Sequence, residues 1–304
     1  MQDGIMILAY SRLYFLRNEG SMDGFISNID RLCTAKGPGI RSAVMAVGCP
    51  MKCLWCSHPE LIGDAAKFLY HPRRCVGCGK CVAQSGGGTI CYYDAYEKYG
   101  EIISENELAS RLLTDKDYYD TSGGGVTYSG GDAAMQAEFF YDVTRLLKKS
   151  QIHVALETAG YFPWEKLAPL VFAVDLVLYD IKTLNRGLHR RYTGVDNQLI
   201  LENALRIADM GKDMTVRMIL IPGINDSEDE ITGRVKFVKT LGKHVKLEII
   251  KYQKLDPAKY AEIGMIEMME GTDECSDATA DLAAHSARQL GIEVVDRSIY
   301  EAIL

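Results

Sequence analysis

The stretch KGPGIRSAVMAVGCPMKCLWCSHPE, residues 36–60, decides how the chain is read, and its centre is the spacing of three cysteines. Cys49, Cys53 and Cys56 stand as C-x3-C-x2-C, which places three thiols on one tight loop. Such a loop suits a [4Fe-4S] cluster better than zinc. Three protein ligands on a four-iron cube leave one iron open to a substrate or cofactor, whereas structural zinc takes four protein ligands. Three unrelated buried thiols are the weaker account, because free cysteine is otherwise sparse and scattered. Residues 40–47 alternate and carry β-branched side chains, so they read as a strand that delivers the chain to this loop. The loop then sits at a strand's C-terminal end, where parallel α/β sheets place their chemistry.

Working outward, the composition is that of an ordinary soluble globular protein, with 47% hydrophobic and 25% charged residues in 304. That length gives about two domains or one large α/β unit with an ample core. A net charge of −7 and a pI near 5.5 argue against nucleic acid as a partner, since phosphate contacts need clustered Lys and Arg. Residues 1–21 include IMILAYSRLYFL, which is apolar but short, interrupted by Ser and Arg, and lacks the small-residue site of a signal peptide. No stretch reaches the roughly 18 apolar residues of a membrane span. Seven of the nine cysteines fall in two groups, 49/53/56 and 75/78/81/91, which read as metal ligands in a reducing, cytoplasmic setting rather than as a disulfide framework. Cys33 and Cys275 lack ligand spacing and read as ordinary thiols.

The second group, Cys75, Cys78 and Cys81, is the C-x2-C-x2-C run of ferredoxins, with Gly77 and Gly79 keeping the backbone close to cluster sulfurs. The run's usual fourth position is Ser85, and Cys91 follows. A zinc knuckle, or a decayed segment holding nothing, stays open beside an iron–sulfur reading.

After residue 100, helical and strand periods alternate. Residues 104–115 are helical, with Ser104 and Glu107 as a capping box. Val126 to Tyr128 forms a strand, and Ser129-Gly130-Gly131-Asp132 the turn beyond it. Glycines there let a backbone approach a ligand, and the carboxylate can pair with an ammonium group. Further helices are expected at 135–147, 164–171, 199–210, 228–241 and 277–290, and strands at 153–157, 175–180, 214–221, 246–250 and 293–295. Regular β–α alternation implies parallel strands with right-handed crossovers, hence a partial or complete (β/α) barrel. Glu157 and Thr158, Asp180 and Lys182, Arg217 and Gln253 fall at strand ends or just inside them. Taken singly, each could be a surface or capping residue.

With Trp55 before the last cysteine, the triplet resembles the radical S-adenosylmethionine (SAM) enzymes. Gly37 to Arg41, GPGIR, and Ser57 to Glu60, SHPE, make it similar to the activating enzymes of glycyl radical enzymes, of the pyruvate formate-lyase activating type. LETAGY (156–161), DLVLYDIK (175–182), HRRYTGVDN (189–197) and VRMILIPGINDS (216–227) resemble text of the same family. The resemblance covers about residue 22 to the C-terminus. It implies an α/β fold, a partial (β/α)6 TIM-like barrel with six main strands over 22–60 and 101–304, a ferredoxin-like cluster-binding insert over 61–100, and an N-terminal extension over 1–21. It further implies that Ser129 to Asp132 is the SGGE motif that holds SAM's amino group, that Asp180 and Lys182 are its D-x-K, and that Arg217 is its SAM-contacting arginine. Trp55, Ser57, Gly130, Gly131, Asp132, Glu157, Thr158, Asp180, Lys182, Arg217 and Gln253 become the expected SAM-binding set. The ring of polar strand ends would then serve a zwitterionic nucleoside's ribose, ammonium and carboxylate. Many family members carry two ferredoxin runs. One deleted cluster and one retained on Cys75, Cys78, Cys81 and Cys91 fits what remains here.

The chain departs from the family text at four places: Lys36 for Asp, Ser57-His58 for His-Asn, Asp132 for Glu, and Gln253 for His. Asp132 keeps the charge with one methylene less reach, and Gln253 can hydrogen-bond but not exchange a proton. The implied activity is reductive cleavage of SAM at a cluster on Cys49, Cys53 and Cys56. The product, a 5′-deoxyadenosyl radical, would take hydrogen from a backbone glycine of a partner glycyl radical enzyme. A flavodoxin or ferredoxin-type donor would supply the electron, and an auxiliary [4Fe-4S] cluster would relay it or dock the donor. A radical SAM enzyme acting on another substrate and a catalytically weakened SAM-binding protein are the alternatives. A purely structural metalloprotein is disfavoured, the triplet being one ligand short of a closed site.

Overall fold

A computed structural model of the chain describes residues 17–18, 21–63, 68–79 and 91–295. The strands are β1 (Ser21–Cys33), β2 (Arg41–Ala46), β3 (Glu101–Ser104), β4 (Gly125–Gly130), β5 (Val154–Thr158), β6 (Leu176–Asp180), β7 (Asp213–Leu220) and β8 (Val245–Lys251). They form one sheet in the order β1-β2-β4-β5-β6-β7-β8, with β3 on the side of β1, and β2 and β4 to β8 run parallel to one another. Among the described residues no ladder joins β8 to the β1 edge. The six parallel strands are therefore an open, partial barrel, as the resemblance implied.

Two features differ from the sequence expectation. β1 lies antiparallel on β2, and its far side pairs antiparallel with β3 and with Arg17–Asn18. Residues 21–33 gave no strand signal because Asp, Asn and Gly interrupt them. They pair because Phe25 and Ile26 are buried. The strand expected at 293–295 is only a single parallel bridge, Val294 to Leu247.

Helices α1 (Glu105–Leu113), α2 (Lys116–Ser122), α3 (Ala137–Lys148), α4 (Trp164–Ala173), α5 (Arg186–Thr193), α6 (Gln198–Asp209), α7 (Glu228–Thr240), α8 (Pro257–Glu262) and α9 (Asp277–Gln289) occupy the connections. Ser104, Ser227 and Ser276 cap α1, α7 and α9 by accepting from the third amide beyond, which satisfies a donor the helix leaves orphaned. The expected Ser104–Glu107 cap is thus present as the Ser104 side. α2, α5 and α8 carried no clear apolar period and were missed.

Strand alternation then sorts the side chains. Val126, Tyr128, Val154, Leu156, Val177, Tyr179, Val216 and Met218 join the helices in one hydrophobic core. The alternate residues, Thr127, Ser129, Glu157, Asp180, Arg217 and Glu248, share the inner face. A parallel sheet buried on both faces is normally apolar throughout, so this polar inner face marks the site.

The connection after β7 fixes the approach to that face. Asn225 is buried, accepts from the Ile221 amide at 2.7 Å, and donates to the carbonyls of Lys182 at 2.7 Å and Ile219 at 3.0 Å. Arg234 donates to the same two carbonyls at 3.3 and 3.1 Å. Asn225→Ala strands a buried amide and weakens the support of two carbonyls, at a cost of about 2–3 kcal/mol. Urea unfolding should show a lower midpoint at an unchanged m-value.

Candidate active site

The cysteine loop and the SGGD turn are stitched together by main chain. Gly131 N donates to Ala46 O at 2.9 Å and Asp132 N to Gly48 O at 2.7 Å. A Cβ on Gly131 would lie 2.2 Å from Gly48 O, and one on Gly130, at φ +99°, 2.4 Å from Ala46 N. The two glycines are thus required by the backbone-to-backbone approach of turn and loop. Cys49 exchanges two 3.0 Å hydrogen bonds with Gly63, Lys52 N donates to Thr193 O at 2.8 Å, and Leu54 N to Tyr192 O at 3.0 Å. Trp55 is buried against the Tyr192 ring, 6.2 Å away, and so packs the loop onto α5.

The three thiols hold their protons strongly in the bare protein. Burial pushes Cys49 well above its usual range, Cys53 up to about 12, and Cys56 upward, while Lys182 opposes the shift at Cys53. Deprotonation must come from a bound cation, and three soft donors on one loop at the sheet's C-terminal end fit an iron–sulfur cluster.

Beside the loop runs a line of charges. Glu157 meets Lys36 at 3.0 Å and Arg217 at 2.6 Å, and accepts from Ser129 at 2.9 Å. Arg217 also lies 3.2 Å from Glu248 and 3.7 Å from Asp180, which pairs with Lys182 at 2.6 Å. Burial opposes the ionisation of Glu157, but the Arg217 guanidinium and Lys36 ammonium outweigh it and hold the carboxyl below its usual range. Burial likewise opposes protonation of Arg217, and the three carboxylates reverse it. The set contains three carboxylates (Glu157, Asp180, Glu248) and three cations (Lys36, Lys182, Arg217), so it neutralises itself. Arg217 is thus paired within the inner face, through Nη1 to Glu157 and Nε to Glu248, and a polar interior balanced in this way fits a zwitterionic ligand such as SAM.

Lys36 reaches Glu157 because GPGIR holds its loop in place. Arg41 is fully buried and donates to Pro38 O at 3.0 Å and to Thr127 Oγ1 at 2.6 Å, while Thr127 Oγ1 donates to Lys36 O at 2.7 Å. The family aspartate at this position would have left the interior more negative. On the N-terminal side of the strands, the same loop borders a cavity of about 440 Å³, lined by Pro38, His153, Asp213, His244 and Glu248 among others.

Asp132 is placed differently from the SGGE expectation. One carboxylate oxygen accepts from Thr158 Oγ1 and Ala159 N at 3.0 Å each, and the other from Ala134 N at 3.2 Å. Burial pushes its pKa up to about 7. The short side chain is therefore drawn back to tie the turn to the end of β5, and Thr158 serves as its donor. Ser57 and Gln253 are exposed and stand outside the bonded inner-face set. Cys75 and Cys78 are exposed and Cys91 partly buried, beside a short antiparallel pair, Phe68–Tyr70 with Tyr96–Lys98. Cys81, like Ser85, lies outside the described residues. Sequence reasoning missed Glu248, although an acidic residue inside the apolar run VKLEII of an expected strand was a usable signal. It also missed α8 and its contacts with the cysteine loop, for which the sequence offers no periodic cue.

Residues 44–234 match the family model of the radical SAM superfamily. The chain is a radical SAM protein. It is 33% identical over 282 residues to the choline trimethylamine-lyase activating enzyme of Oleidesulfovibrio alaskensis, covering 83% of this chain and 91% of that one. It is 30% identical to the pyruvate formate-lyase 2-activating enzyme of Escherichia coli, covering 88% of this chain and 91% of that one. Within the superfamily it belongs to the activating enzymes of glycyl radical enzymes. A solved radical SAM methyltransferase from Sphaerobacter thermophilus superposes with a TM-score of 0.54 at 12% identity, over 84% of this chain and 65% of that one, which shows the shared fold. As a radical SAM family member, the chain takes a [4Fe-4S] cluster and SAM as cofactors. No helix among the described residues is long and apolar enough to cross a membrane.

Two outcomes test this electrostatic arrangement. Between the ordinary carboxyl value of 3.8 and about 7, the folded protein keeps a proton on Asp132 that the unfolded chain has released. Stability therefore falls as pH rises through that window. From pH 5 to pH 8 the metal-free protein should lose about 2–3 kcal/mol more than Asp132→Asn, measured by urea unfolding at both pH values. Arg217→Met leaves three inner-face carboxylates without their shared cation and should cost about 3–5 kcal/mol, read from the thermal midpoint.

Proposed function

We propose that this radical SAM activating enzyme uses Cys49, Cys53 and Cys56 as the ligands of its SAM-binding cluster, and the inner barrel face as its SAM site. The observation that supports the reading is the main-chain stitching of the cysteine loop to Gly131 and Asp132, which holds that loop and the glycine turn together at the ends of two adjacent strands. A cluster held by Cys49, Cys53 and Cys56, with SAM bound and one electron taken from a reduced donor protein, would supply reductive cleavage of SAM to methionine and the radical that takes hydrogen from a backbone glycine of the partner.

The chain's own residues orient and shield. Arg217 anchors the charge pattern against which a zwitterion would align, and Gly130 and Gly131 let the SGGD turn lie against the cysteine loop. Asp180, Lys182 and Glu157 hold charge balance around it. Trp55 and the buried β-strand ends keep water from a reactive intermediate. Ser57 and Gln253, both exposed, complete the candidate SAM contacts beside the cysteine loop and beyond β8. The partner is a glycyl radical enzyme, and a flavodoxin or ferredoxin-type protein is the electron donor we favour, in the cytoplasm. Cys75, Cys78, Cys81 and Cys91 would carry an auxiliary [4Fe-4S] cluster in a small insert over residues 61–100, with 22–60 and 101–304 as the barrel and 1–21 as an extension.

A second reading rests on Asp132. With three of its roughly four acceptor sites taken by Ala134, Thr158 and Ala159, it has less to offer SAM's ammonium, which favours weakened SAM cleavage. Anaerobic reconstitution with iron and sulfide, reduction, and addition of SAM should yield 5′-deoxyadenosine from the wild type and only background from Cys53→Ala. Background product from a fully loaded wild-type cluster would overturn the catalytic reading and leave the weakened one.

A further inference from the structure

The short helix α8 belongs to no motif of the chain, yet it bonds the peptide just beyond the third cysteine. Tyr260 is buried, and its hydroxyl donates to the carbonyl of Cys56 itself at 2.5 Å. Its neighbour Lys259 donates to the next carbonyl, Ser57 O, at 2.7 Å and lies 2.9 Å from Glu60 Oε1 and 3.3 Å from His58 Nδ1. Glu60, on the turn Pro59–Leu61, is 2% exposed, and the Tyr99 hydroxyl approaches the same oxygen at 3.3 Å. Its other oxygen, Oε2, is buried with no hydrogen-bond partner. Burial opposes ionisation of Glu60, but bonds from His58 and Lys259 overcome it and hold the carboxyl below its usual range. A buried carboxylate and a partly buried ammonium therefore sit together beside Cys56.

We propose that α8 is a clamp on the cysteine loop, with Tyr260 and Lys259 as positioning residues that set how readily the cluster accepts an electron. Tyr260 fixes the peptide that orients the Cys56 thiolate. Lys259 fixes the following peptide and cancels the charge of Glu60. Iron–sulfur potentials respond to net charge and to hydrogen bonding around the ligands, and a charge in a low-dielectric site is felt over several ångströms. Without Lys259, the Glu60 carboxylate faces the cluster uncompensated and disfavours the added electron. Without the Glu60 charge, the Lys259 ammonium favours it. The same helix continues to Glu262, which pairs with His71 at 3.0 Å, so it also ties the segment bearing Cys75 and Cys78 to the barrel. The inference rests on the reading that Cys49, Cys53 and Cys56 hold the SAM-binding cluster.

The test is an anaerobic redox titration of the reconstituted full chain, followed by electron paramagnetic resonance, with iron and sulfide counted per chain. To read the SAM-binding cluster alone, all proteins carry Cys75→Ser and Cys78→Ser. Lys259→Met should lower the reduced-to-oxidised ratio at fixed potential about tenfold, which is about 59 mV for one electron. Glu60→Gln should shift it the opposite way, the double variant should return near the parent value, and Lys259→Arg should hold it. In the metal-free protein, Tyr260→Phe should exchange the amides of residues 56–61 several-fold faster at unchanged global stability. A merely structural pair would leave the potential unmoved in both single variants, or shift it the same way in both, and either result overturns the proposal. Should Lys259→Met fail to load, Glu60→Gln and Lys259→Arg still decide. A parent protein that takes no cluster would take down the functional reading itself, a result told apart from failure of the clamp by the parent spectrum.

Discussion

Arg217 is the constraint on which the inner face depends. A guanidinium this deeply buried is tolerable only among carboxylates, and three of them come from neighbouring strands at nearly one level of the sheet, Glu157, Asp180 and Glu248. Parallel register makes this possible, since Asp180, Arg217 and Glu248 are direct partners across β6, β7 and β8. Two of the carboxylates need further cations, which Lys36 and Lys182 provide from loops at opposite ends of the strands. The barrel therefore keeps a polar interior without net charge, suited to a zwitterion that brings its own ion pairs.

How far the sequence could be read follows from the physics of each signal. The six parallel strands and the longer helices, α1, α3, α4, α6, α7 and α9, were legible, because apolar periodicity reports burial against a layer. The cysteine loop and the SGGD turn were legible as motifs, because ligand spacing and paired glycines are constraints within a few residues. β1 was not legible: Asp23, Asn28 and Asp30 mask its pattern, and its pairing is decided by β2 beyond the next loop and by β3, far along the chain. Nor could spacing show that Asp132 would turn inward to Thr158 and Ala159, since that depends on where β5 ends relative to β4.

The departures from the family text acquire physical meaning in the fold. Lys36 completes the charge balance of the inner face, and Asp132 trades reach for a tie between two strand ends. Both residues are tied into the protein's own interior by the bonds they make, Lys36 to Glu157 and Asp132 to Thr158 and Ala159. Glu60 and Lys259 make a second, smaller balance of the same kind beside Cys56.

The open seam has a mechanical consequence. Among the described residues, β8 and the strands around β2 are not joined by a ladder, and the space at the N-terminal side is bordered by Thr34, Ala35, Gly37 and Pro38 and by Glu293 to Val295. Hoop tension is absent from such a wall: its curvature is held by bending of the sheet and by side-chain bonds such as Lys36 to Glu157, not by a closed ring of peptide hydrogen bonds. Among the described residues, spreading the seam breaks no ladder, so resistance to opening there comes from sheet bending and side-chain bonds rather than from main-chain pairing.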